Sequence, residues 1–498
     1  MKMDKTTIAD VASKLKFRTQ AFINGKFVDA VSGRTFPTEK PANGQALAQI
    51  AECDEKDVNL AVQSARETFE KGLWSQMSPA DRKHVLLNFA DLIEKNTMEL
   101  AVLDALEAGK PITDCITIDV PETVDCIRWH AEAVDKLYDQ ISPTGPDNLG
   151  LIVREPIGVV GAVIPWNFPA LMAAWKLGPA LATGNSVVLK PAEQTSLSAL
   201  RLAELAVEAG LPDGILNVVP GFGETAGQAL GRHTAVDAVT FTGSTEVGRM
   251  FLKYSAESNL KRIVLECGGK SPQIVMADVA NLDSVAEHAV NAIFWNMGEN
   301  CSAGSRLIVH KKVKDALLER IVKLSKQWTV GDPLDPATKI GSMIEKAHME
   351  KVLSYIEAGK AEDANLVLGG NRVLADSGGY FVEPTIFDNV DNKMKIAQEE
   401  IFGPVLATIA FDDEEQAIAL ANNTTYGLAA SLYTDNVNVA HRLARAIKAG
   451  TVSVNCYSEG DMTTPFGGFK QSGFGGRDNA VHAHDQYTEI KTIWMQFS

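Results

Sequence analysis

From residue 157 onward the sequence alternates short apolar strands with amphipathic helices, and few folds accommodate that order. The segments "IGVVGAVIPW", "NSVVLKP", "GILNVVPG" and "AVDAVTFTGS" are separated by helical runs such as "SLSALRLAELAVEAG". Because parallel strands need long crossover connections, this order predicts a parallel, doubly wound α/β sheet. A similar alternation restarts at "KSPQIVMADVA" and extends to about residue 470, which predicts a second α/β domain.

The remaining segments carry clear local signals. In "AFINGKFVDA" the pair Asn24-Gly25 stands between apolar-containing runs, which is typical of a type I′ hairpin. Helical spacing of apolar residues covers 55–108, and another helix is expected over about 120–138. Residues 139–156 combine turn and strand-like residues, which predicts a projecting hairpin. The last stretch, "YTEIKTIWMQF", alternates like a strand and is expected to pair across subunits.

Composition excludes several classes of protein. The 498-residue chain is 45% hydrophobic with a formal net charge of −16, and it lacks the basic footprint that nucleic acids or anionic membranes require. The acidity fits cationic small molecules or simple solubility. The start of the chain has no apolar signal core, and no apolar run reaches about 18 residues, so neither export nor a membrane span is expected. The six cysteines form no CxxC pair, which predicts free thiols in the cytoplasm.

Two glycine-containing loops follow predicted strands, where doubly wound sheets bind ligands. In "GFGETAG" (221–227) the third glycine comes one residue late for a dinucleotide fingerprint, so a plain tight turn is an equal explanation. In "FTGSTEVG" (241–248) a strand leads through Gly243-Ser244 into a helix. Backbone N–H groups there can hold a pyrophosphate, although an ordinary capped helix fits the spacing equally well.

Charged residues end two further strands. In "LKPAEQT" (189–195), Lys190 and Glu193 can bind ribose hydroxyls, and Glu193 would repel a 2′-phosphate, which favours NAD over NADP. A solvated charge pair is the alternative. In "LECGGK" (265–270), Glu266 lies in an apolar run that ends in two glycines. Burial raises the pKa of a carboxyl group, which makes Glu266 a candidate general base.

The stretch "NMGENCSAGSR" (296–306) places Cys301 among small and polar residues. No histidine stands beside it, and the nine histidines of the chain form no HxxxH-type spacing, so no metal site is predicted. Local sequence leaves open whether Cys301 is a working thiol or one more small buried residue.

Seven markers in fixed order resemble the NAD(P)-dependent aldehyde dehydrogenase superfamily. They are "PWNFP", "KPAEQT", "FTGSTEVG", "LECGGK", "GENCSAGSR", "EEIFGPV" and "PFGGFKQSG", and the likeness extends from "FINGKFVD" to "YTEIKTIW". The segments "IRWHAEAVDKLY" and "EGDMTTPFGGFKQSG" look most like the γ-glutamyl-γ-aminobutyraldehyde dehydrogenases of putrescine breakdown. The resemblance implies two doubly wound α/β domains with a protruding β oligomerisation element.

The resemblance also implies roles for individual residues. Cys301 would attack the aldehyde carbon, and Asn167 with the Cys301 backbone N–H would form the oxyanion hole. Hydride transfer to the nicotinamide would leave a thioester, which Glu266 would hydrolyse by activating water. Lys176 and Asp478 match a pair that assists proton movement. Asp478 stands in "SGFGGRD" where the family usually has "SGxGRE", which puts its role in doubt.

The implied cofactor is NAD, with NADP as an alternative. The residues that match its binding positions are Trp166, Lys190, Glu193, Gly223, Gly243, Ser244, Gly248, Glu400 and Phe402. A second departure from the family is Glu299, where glutamine is usual before the nucleophile. An inward-pointing carboxylate there would raise the pKa of Cys301, and we expect it to point away.

Aromatic residues Trp175, Trp295 and Phe466 match the family's substrate tunnel, and such walls can hold an alkyl chain or face a cation. Glu459 and Asp461 precede "PFGG" and would attract an ammonium group at the tunnel mouth, unless they are merely a solvated loop. We therefore expect a γ-glutamylamino or ω-amino aldehyde as substrate.

Several alternatives remain open at this point. One is a broad-specificity aliphatic or betaine-type aldehyde dehydrogenase. A non-redox thiol hydrolase would not need Lys190, Glu193 and Glu400, and a structural protein on the same fold would not need the catalytic residues. A coenzyme-A-acylating dehydrogenase usually lacks the general base that stands here as Glu266.

The resemblance divides the chain into a Rossmann-like NAD-binding domain (1–138 and 157–267), a catalytic domain (268–470) and oligomerisation strands (139–156 and 480–498). The implied assembly is a homotetramer built as a dimer of dimers.

Overall fold

The first sheet has eight strands. The computed structural model describes residues 4–497, and the strand order is Lys26–Val28, Ala21–Ile23, Leu216–Val218, Ser186–Lys190, Val159–Val163, Ala238–Gly243, Arg262–Cys267 and Gly473–Phe474. The five strands from Leu216–Val218 to Arg262–Cys267 are parallel. Their apolar residues pack into separate clusters on the two faces, as helical crossovers require. The predicted doubly wound sheet is confirmed.

The second sheet has seven strands. Their order is Asn365–Leu368, Thr385–Asp388, Val405–Phe411, Arg306–His310, Pro272–Val275, Ala429–Tyr433 and Thr451–Val454. All neighbours are parallel except the first pair. The sheet has its own apolar core, which confirms the predicted second α/β unit.

Helices cover both sheets. Before residue 268 they are Lys5–Lys14, Glu55–Glu70, Pro79–Lys95, Thr97–Ala108, Ile112–Asp114, Val120–Ala133, Pro169–Ala182, Leu197–Glu208, Gln228–Arg232 and Thr245–Ala256. After it they are Leu282–Phe294, Lys311–Ser325, Lys346–Ala361, Lys395–Gln398, Glu414–Asn422, Val437–Ala446 and Ala480–Gln486. Short π- or 3₁₀-helical turns occupy Cys115–Asp119, Gly223–Gly227, Trp295–Gly298, Ala375–Ser377 and Lys470–Ser472.

The local predictions near the amino terminus hold with small changes. Asn24 and Gly25 have φ of 51° and 74° and join two antiparallel strands, which confirms the type I′ hairpin. Two further antiparallel pairs are Thr35–Lys40 with Gln45–Ala51 and Arg372–Val373 with Phe381–Val382. The helix expected over 120–138 ends at Ala133.

A three-stranded antiparallel sheet stands apart from the two large ones. Its order is Thr488–Gln496, Asn148–Pro156 and Gln140–Ser142, so the predicted hairpin is confirmed. The terminal strand pairs along its whole length with the same chain, and its other edge has no strand partner among residues 4–497. Pairing across subunits therefore stays a prediction. The expectation of strand over all of 480–498 is wrong, because Ala480–Gln486 is a helix.

Candidate active site

A cavity of about 270 Å³ lies where the first sheet reverses its strand order. Val159–Val163 and Ala238–Gly243 are parallel neighbours there although six other elements separate them in sequence, and ligands bind at such switch points. The predicted site residues that line the cavity are Trp166, Asn167, Trp175, Gly243, Ser244, Glu266, Trp295, Cys301, Glu400, Phe402, Glu459 and Phe466. Lys176, Lys190, Glu193, Gly223, Gly248, Asp461 and Asp478 lie outside its wall.

The loop that carries Cys301 begins with strained backbone. Asn296 and Met297 have φ of 51° and 57°, and Gly298 follows at 71°. Non-glycine residues rarely adopt this left-handed region, and such strain is concentrated at functional sites. A Cβ on Gly298 would also lie 2.3 Å from the backbone oxygen of Gly403, so the turn packs directly against that backbone.

Cys301 is half-buried, with Sγ 3.7 Å from Asn300 Oδ1. Removal from water raises the pKa of its thiol well above the ordinary value, and the charges of Glu459, Glu400 and Glu266 raise it further. The thiol is therefore protonated at neutral pH in the ligand-free chain. A base or a nearby positive charge must form the thiolate.

Two glycines bring the strand of Glu266 against the loop that carries Cys301. A Cβ on Gly269 would lie 2.4 Å from the backbone oxygen of Cys301, and one on Gly268 would lie 2.1 Å from Glu400 Oε2. Any larger residue would push these segments apart. The two glycines of "LECGGK" thus explain how distant segments share one cavity.

Asn167 is buried, and its Nδ2 donates to the backbone oxygen of Glu299 at 3.0 Å. Its own backbone oxygen accepts from Lys110 Nζ at 2.9 Å. Lys110 also pairs with Asp119 at 2.7 Å and lies 3.6 Å from the ring centre of Phe168. These contacts fix the side-chain amide beside the cysteine loop, where a donor to a developing oxyanion is needed.

Glu266 ends its strand at the cavity wall and is 3% exposed. Neither carboxylate oxygen has a hydrogen bond of normal geometry among the described residues, although the backbone N–H of Gly468 is near enough to lower its pKa slightly. Burial, followed by the charge of Asp478, raises the pKa of Glu266 well above its usual value, against the opposing effect of Lys176 and Arg477. A carboxylate in this environment is a strong base when ionised.

Lys176 and Asp478 form a fully buried ion pair with Nζ and Oδ2 2.5 Å apart. The departure "SGFGGRD" therefore preserves the pair that the sequence put in doubt. Gly475 has φ of 85°, a turn that glycine adopts easily and that precedes Asp478. The charges of Lys176 and Asp478 both shift the pKa of Glu266, so the ion pair lies close to the candidate base.

At the cofactor end of the cavity, Ser244 accepts from the backbone N–H of Val247 at 3.2 Å and caps the helix Thr245–Ala256. The capped helix is therefore observed and starts at the cavity wall, whereas pyrophosphate binding at Gly243 and Ser244 stays a prediction. Gly248 is a packing residue, since a Cβ there would lie 3.1 Å from Cys267 Sγ. Gly223 begins a π-helical turn away from the wall.

Lys190 is buried and its Nζ lies 3.2 Å from Glu193 Oε2. Glu193 lines a second cavity together with Phe222. Lys190 and Glu193 therefore form a partly enclosed pair rather than a solvated one. The arrangement suits two neighbouring hydroxyl groups, which accept from an ammonium and donate to a carboxylate.

Glu400 accepts from the backbone N–H of Gly269 at 2.9 Å, and burial raises its pKa to about 6. Phe402 packs edge-on against Trp166, with ring centres 5.3 Å apart. Sequence reasoning missed His348, which packs on Trp166 and whose Nε2 lies 2.7 Å from the Phe402 backbone oxygen. Burial lowers the pKa of His348 to about 4, so it is neutral and donates this hydrogen bond.

Glu299 is buried, and its Oε1 accepts from the backbone N–H of Ile344 at 3.1 Å and lies 3.5 Å from His348 Nε2. Burial raises its pKa well above the usual range. The side chain is turned to a different segment from the thiol, as expected. It is an enclosed carboxyl group whose neutral form is favoured by burial, which the sequence could not distinguish from a loop charge.

Aromatic rings line the substrate end. Trp175 packs on Phe466 with ring centres 5.1 Å apart, and Phe168 on Trp295 at 5.3 Å. Trp175 is 6% exposed, and its Nε1 has no acceptor among the described residues. These rings make their part of the wall apolar apart from the indole N–H donors of Trp175 and Trp295, neither of which has an acceptor among the described residues.

Acidic groups complete that end. Glu459 lines the cavity, but Asp461 does not, so its predicted place in the pocket is wrong. The Asp461 carboxylate is exposed and accepts from the backbone N–H of Thr463 at 2.8 Å, which stabilises its own turn. Sequence reasoning missed Glu122, which lines the cavity from the first turn of the helix Val120–Ala133. An acidic residue in a first helical turn is common, so no sequence signal marked it.

In residues 4–497, no three His, Cys, Asp or Glu side chains gather as a metal ion would require. None of the helices there is both long and apolar enough to cross a membrane.

A family model described as the aldehyde dehydrogenase family matches residues 27–493. The chain belongs to the aldehyde dehydrogenase family. It is an oxidoreductase that converts aldehydes to acids with a nicotinamide cofactor. An aminoacetaldehyde dehydrogenase of Pseudomonas aeruginosa is 56% identical over 496 residues, which cover 100% of this chain and 99% of that protein. The NADP/NAD-dependent aldehyde dehydrogenase PuuC of Escherichia coli is 49% identical, over 98% of this chain and 97% of the relative.

Solved structures of aldehyde dehydrogenases match over the whole fold. An indole-3-acetaldehyde dehydrogenase in complex with NAD+ has a TM-score of 0.98 and 52% identity, with 99% of each chain covered. A γ-glutamyl-γ-aminobutyraldehyde dehydrogenase from Burkholderia cenocepacia has a TM-score of 0.97 and 51% identity, covering 99% of this chain and 100% of the other. The fold class and the family resemblance are confirmed.

Proposed function

We propose that this aldehyde dehydrogenase oxidises ω-amino or γ-glutamylamino aldehydes, and that Cys301 is its nucleophile. The observation that carries the proposal is the placement of Cys301, Asn167 and Glu266 in one cavity whose far end holds aromatic rings and carboxylates. The names of two relatives, an aminoacetaldehyde dehydrogenase and a γ-glutamyl-γ-aminobutyraldehyde dehydrogenase, support the nitrogen-bearing substrate.

In the proposed mechanism the Cys301 thiolate attacks the aldehyde carbon and forms a thiohemiacetal. Asn167 Nδ2 and the Cys301 backbone N–H stabilise the oxygen that becomes negative. Both donors are already in place in a site that excludes water, and this accelerates the reaction. Lys110 positions Asn167 by holding its backbone oxygen. When bound, NAD(P) supplies the hydride acceptor, and the product on Cys301 is a thioester.

Glu266 then takes a proton from the water that hydrolyses the thioester, and it can also take the thiol proton at the start. Its unpaired oxygens leave room for either donor. Lys176 and Asp478 would pass the proton onward, since both charges act on the pKa of Glu266.

The residues present fit a dinucleotide. Gly243 and Ser244 put a helix N-terminus at the cavity wall, which favours a pyrophosphate. Lys190 and Glu193 suit the hydroxyls of the adenosine ribose. Glu400 and Phe402, with Trp166 behind them, would hold the nicotinamide ribose.

The substrate proposal is tested by comparing kcat/KM for ω-amino aldehydes and for aliphatic aldehydes of equal length. We expect preference for the nitrogen-bearing set, lost in Glu459→Gln and kept in the matched loop variant Asp461→Asn. Equal kcat/KM for both sets would overturn the substrate proposal and leave a broad-specificity enzyme. The aromatic walls and the indole-3-acetaldehyde dehydrogenase neighbour favour aromatic aldehydes as the second set to test.

We further propose a cytoplasmic homotetramer, a dimer of dimers. Support comes from the open edge of the terminal strand and from exposed apolar residues on its sheet, including Ile141, Ile490 and Trp494, the last 60% exposed. All six cysteines are free, which fits a reducing compartment. The domain limits proposed above place the cofactor on 1–138 and 157–267 and the thiol on 268–470. Light scattering tests the tetramer, and cell fractionation tests the cytoplasmic location.

A further inference from the structure

Two carboxylates share the substrate end of the cavity, and no cation among residues 4–497 pairs with either of them there. Glu122 and Glu459 both line it, and the basic side chains in its wall are His348 and Lys351. Those two belong to the cofactor end, where His348 packs on Trp166 and the charge of Lys351 acts on Glu400.

The positive charge of Lys110 lowers the pKa of Glu122, but the Lys110 ammonium already has other partners. Lys110 is fully buried, pairs with Asp119 and holds the backbone oxygen of Asn167. The other charges acting on Glu122 come from Glu459, Asp119 and Asp125 and are all negative. Although part of the Glu122 side chain is exposed, removal of its carboxyl group from water and the charge of Glu459 together raise its pKa to about 7.

A second observation indicates that a polar ligand completes this end. Trp175 is nine-tenths buried, lines the same cavity, and has an indole N–H without an acceptor among residues 4–497. A buried donor without a partner costs free energy that a ligand acceptor or a water recovers. Amide-bearing substrates with an ammonium group supply both an acceptor and a cation.

Glu459 is also connected to the nucleophile. Its Oε1 accepts from Asn300 Nδ2 at 3.0 Å and from the hydroxyl of Ser302. These residues flank Cys301 on both sides, and Tyr457 closes the network by accepting from Asn300 at 2.9 Å. The groups whose charges raise the pKa of the Cys301 thiol are Glu459 first, then Glu400 and Glu266.

We propose that Glu122 and Glu459 form a subsite for the ammonium group of the substrate, and that a cation bound there activates Cys301 through Glu459. This inference rests on the proposed function. An ammonium beside Glu459 offsets the negative charge that keeps the thiol protonated. The S–H bond then ionises more readily, and its proton passes to Glu266 or to water. An aldehyde with an amino group thus promotes its own capture, whereas a neutral aldehyde of equal length does not.

The test measures the thiolate of the full-length enzyme directly, without aldehyde. The ultraviolet absorbance of the thiolate is followed against pH, and the same titration of Cys301→Ala is subtracted to remove the other five cysteines. The probe is 1,4-diaminobutane, and 1,4-butanediol is its neutral match. We expect the diamine to lower the apparent pKa of Cys301 by about one pH unit, a tenfold gain in thiolate at neutral pH. The diol has no effect.

Three variants separate the parts of the proposal. Glu459→Gln lowers the pKa of the thiol before any probe is added and abolishes the diamine response. Glu122→Gln leaves the starting pKa nearly unchanged but requires more diamine for the same response. Asp461→Asn, on the same loop but outside the cavity, titrates like the wild type.

A response to the diol equal to that of the diamine would show that filling the cavity, not charge, matters. A full diamine response in both Glu122→Gln and Glu459→Gln would place the cation elsewhere. Either result overturns the subsite. NAD-dependent oxidation of aliphatic aldehydes is measured in parallel. If this activity is present while the diamine response is missing, only the subsite is disproved. If this activity is also missing, the enzyme assignment itself is wrong.

Discussion

The two ends of the cavity are built by different means. The cofactor end consists of strand ends, a helix N-terminus and glycines that bring segments close together, as at Gly243 and Gly268. The substrate end consists of side chains from segments far apart in sequence, such as Glu122, Trp175 and Glu459. We expect backbone geometry at one end to bind the cofactor and side chains at the other end to decide which aldehyde enters. Changes at the two ends should therefore have separable effects.

The largest effect is expected where the two ends meet. Cys301→Ala should lower kcat by at least about 10⁴-fold for every aldehyde, because no other group can form the covalent intermediate. Steady-state NADH production measures this. Cys456→Ala, a half-buried thiol outside the cavity, should remain within about twofold of the wild type. Loss of activity in that control would assign the chemistry to the wrong cysteine.

Glu266→Gln should slow turnover by about 10²- to 10⁴-fold, because thioester hydrolysis loses its base. The acyl-enzyme should then accumulate, which mass spectrometry of the quenched enzyme detects as the mass of the acyl group on Cys301. A slow variant that carries no acyl group would mean that Glu266 acts only before the thioester forms.

A change confined to the cofactor end should affect all substrates alike. A Cβ on Gly243 would lie 2.5 Å from the ring of Phe241, so Gly243→Ala should disturb the strand end. We expect KM for NAD+ to rise about tenfold, equivalent to about 1.4 kcal/mol of binding. The ratio of kcat/KM between amino and aliphatic aldehydes should not change. A changed ratio would break the separation of the two ends.

At the substrate end, a change of pH should act through Glu122. Glu122, with a pKa of about 7, is mostly protonated at pH 6 and ionised at pH 8. The inhibition constant of 1,4-diaminobutane against an aliphatic aldehyde should therefore fall several-fold across this range, since the diamine stays protonated. Glu122→Gln should flatten the profile. A fall of equal size in that variant would attribute the pH dependence to another group.

The smallest effect concerns Glu299, which belongs to neither end. Its pKa is raised in the folded chain, so the folded state holds a proton that the unfolded state releases, and stability falls as pH rises above about 4.5. Glu299→Gln should raise Tm by about 1–3 °C at pH 8 and by less at pH 5. Activity should remain within about twofold. An equal change in Tm at both pH values would mean that Glu299 is ionised in its pocket.

The contrast between the ends also explains what could be predicted from sequence. Strand and helix order, the Asn24-Gly25 hairpin and the strand-end residues depend on local pattern, and these predictions agree with the structure. Glu122 and His348 were missed because only tertiary packing brings their helices to the cavity. The prediction for Asp461 was wrong for the same reason. Glu459 lines the cavity, whereas Asp461, two residues further along the same loop, is exposed to solvent.

Residues 473–496 complete the active site and the small sheet, and this affects when the protein becomes active during its synthesis. Gly473–Phe474 pairs with Leu265 and Glu266, Asp478 neutralises Lys176, and Thr488–Gln496 completes the small sheet. Ribosomes make these residues after Cys301 and Glu266, whereas domains begin to fold as soon as they emerge. We expect the nascent chain to hold Cys301 beside an unfinished base until residues 473–496 have also emerged. A stop codon before residue 473 should thus yield an inactive protein, not a weaker enzyme.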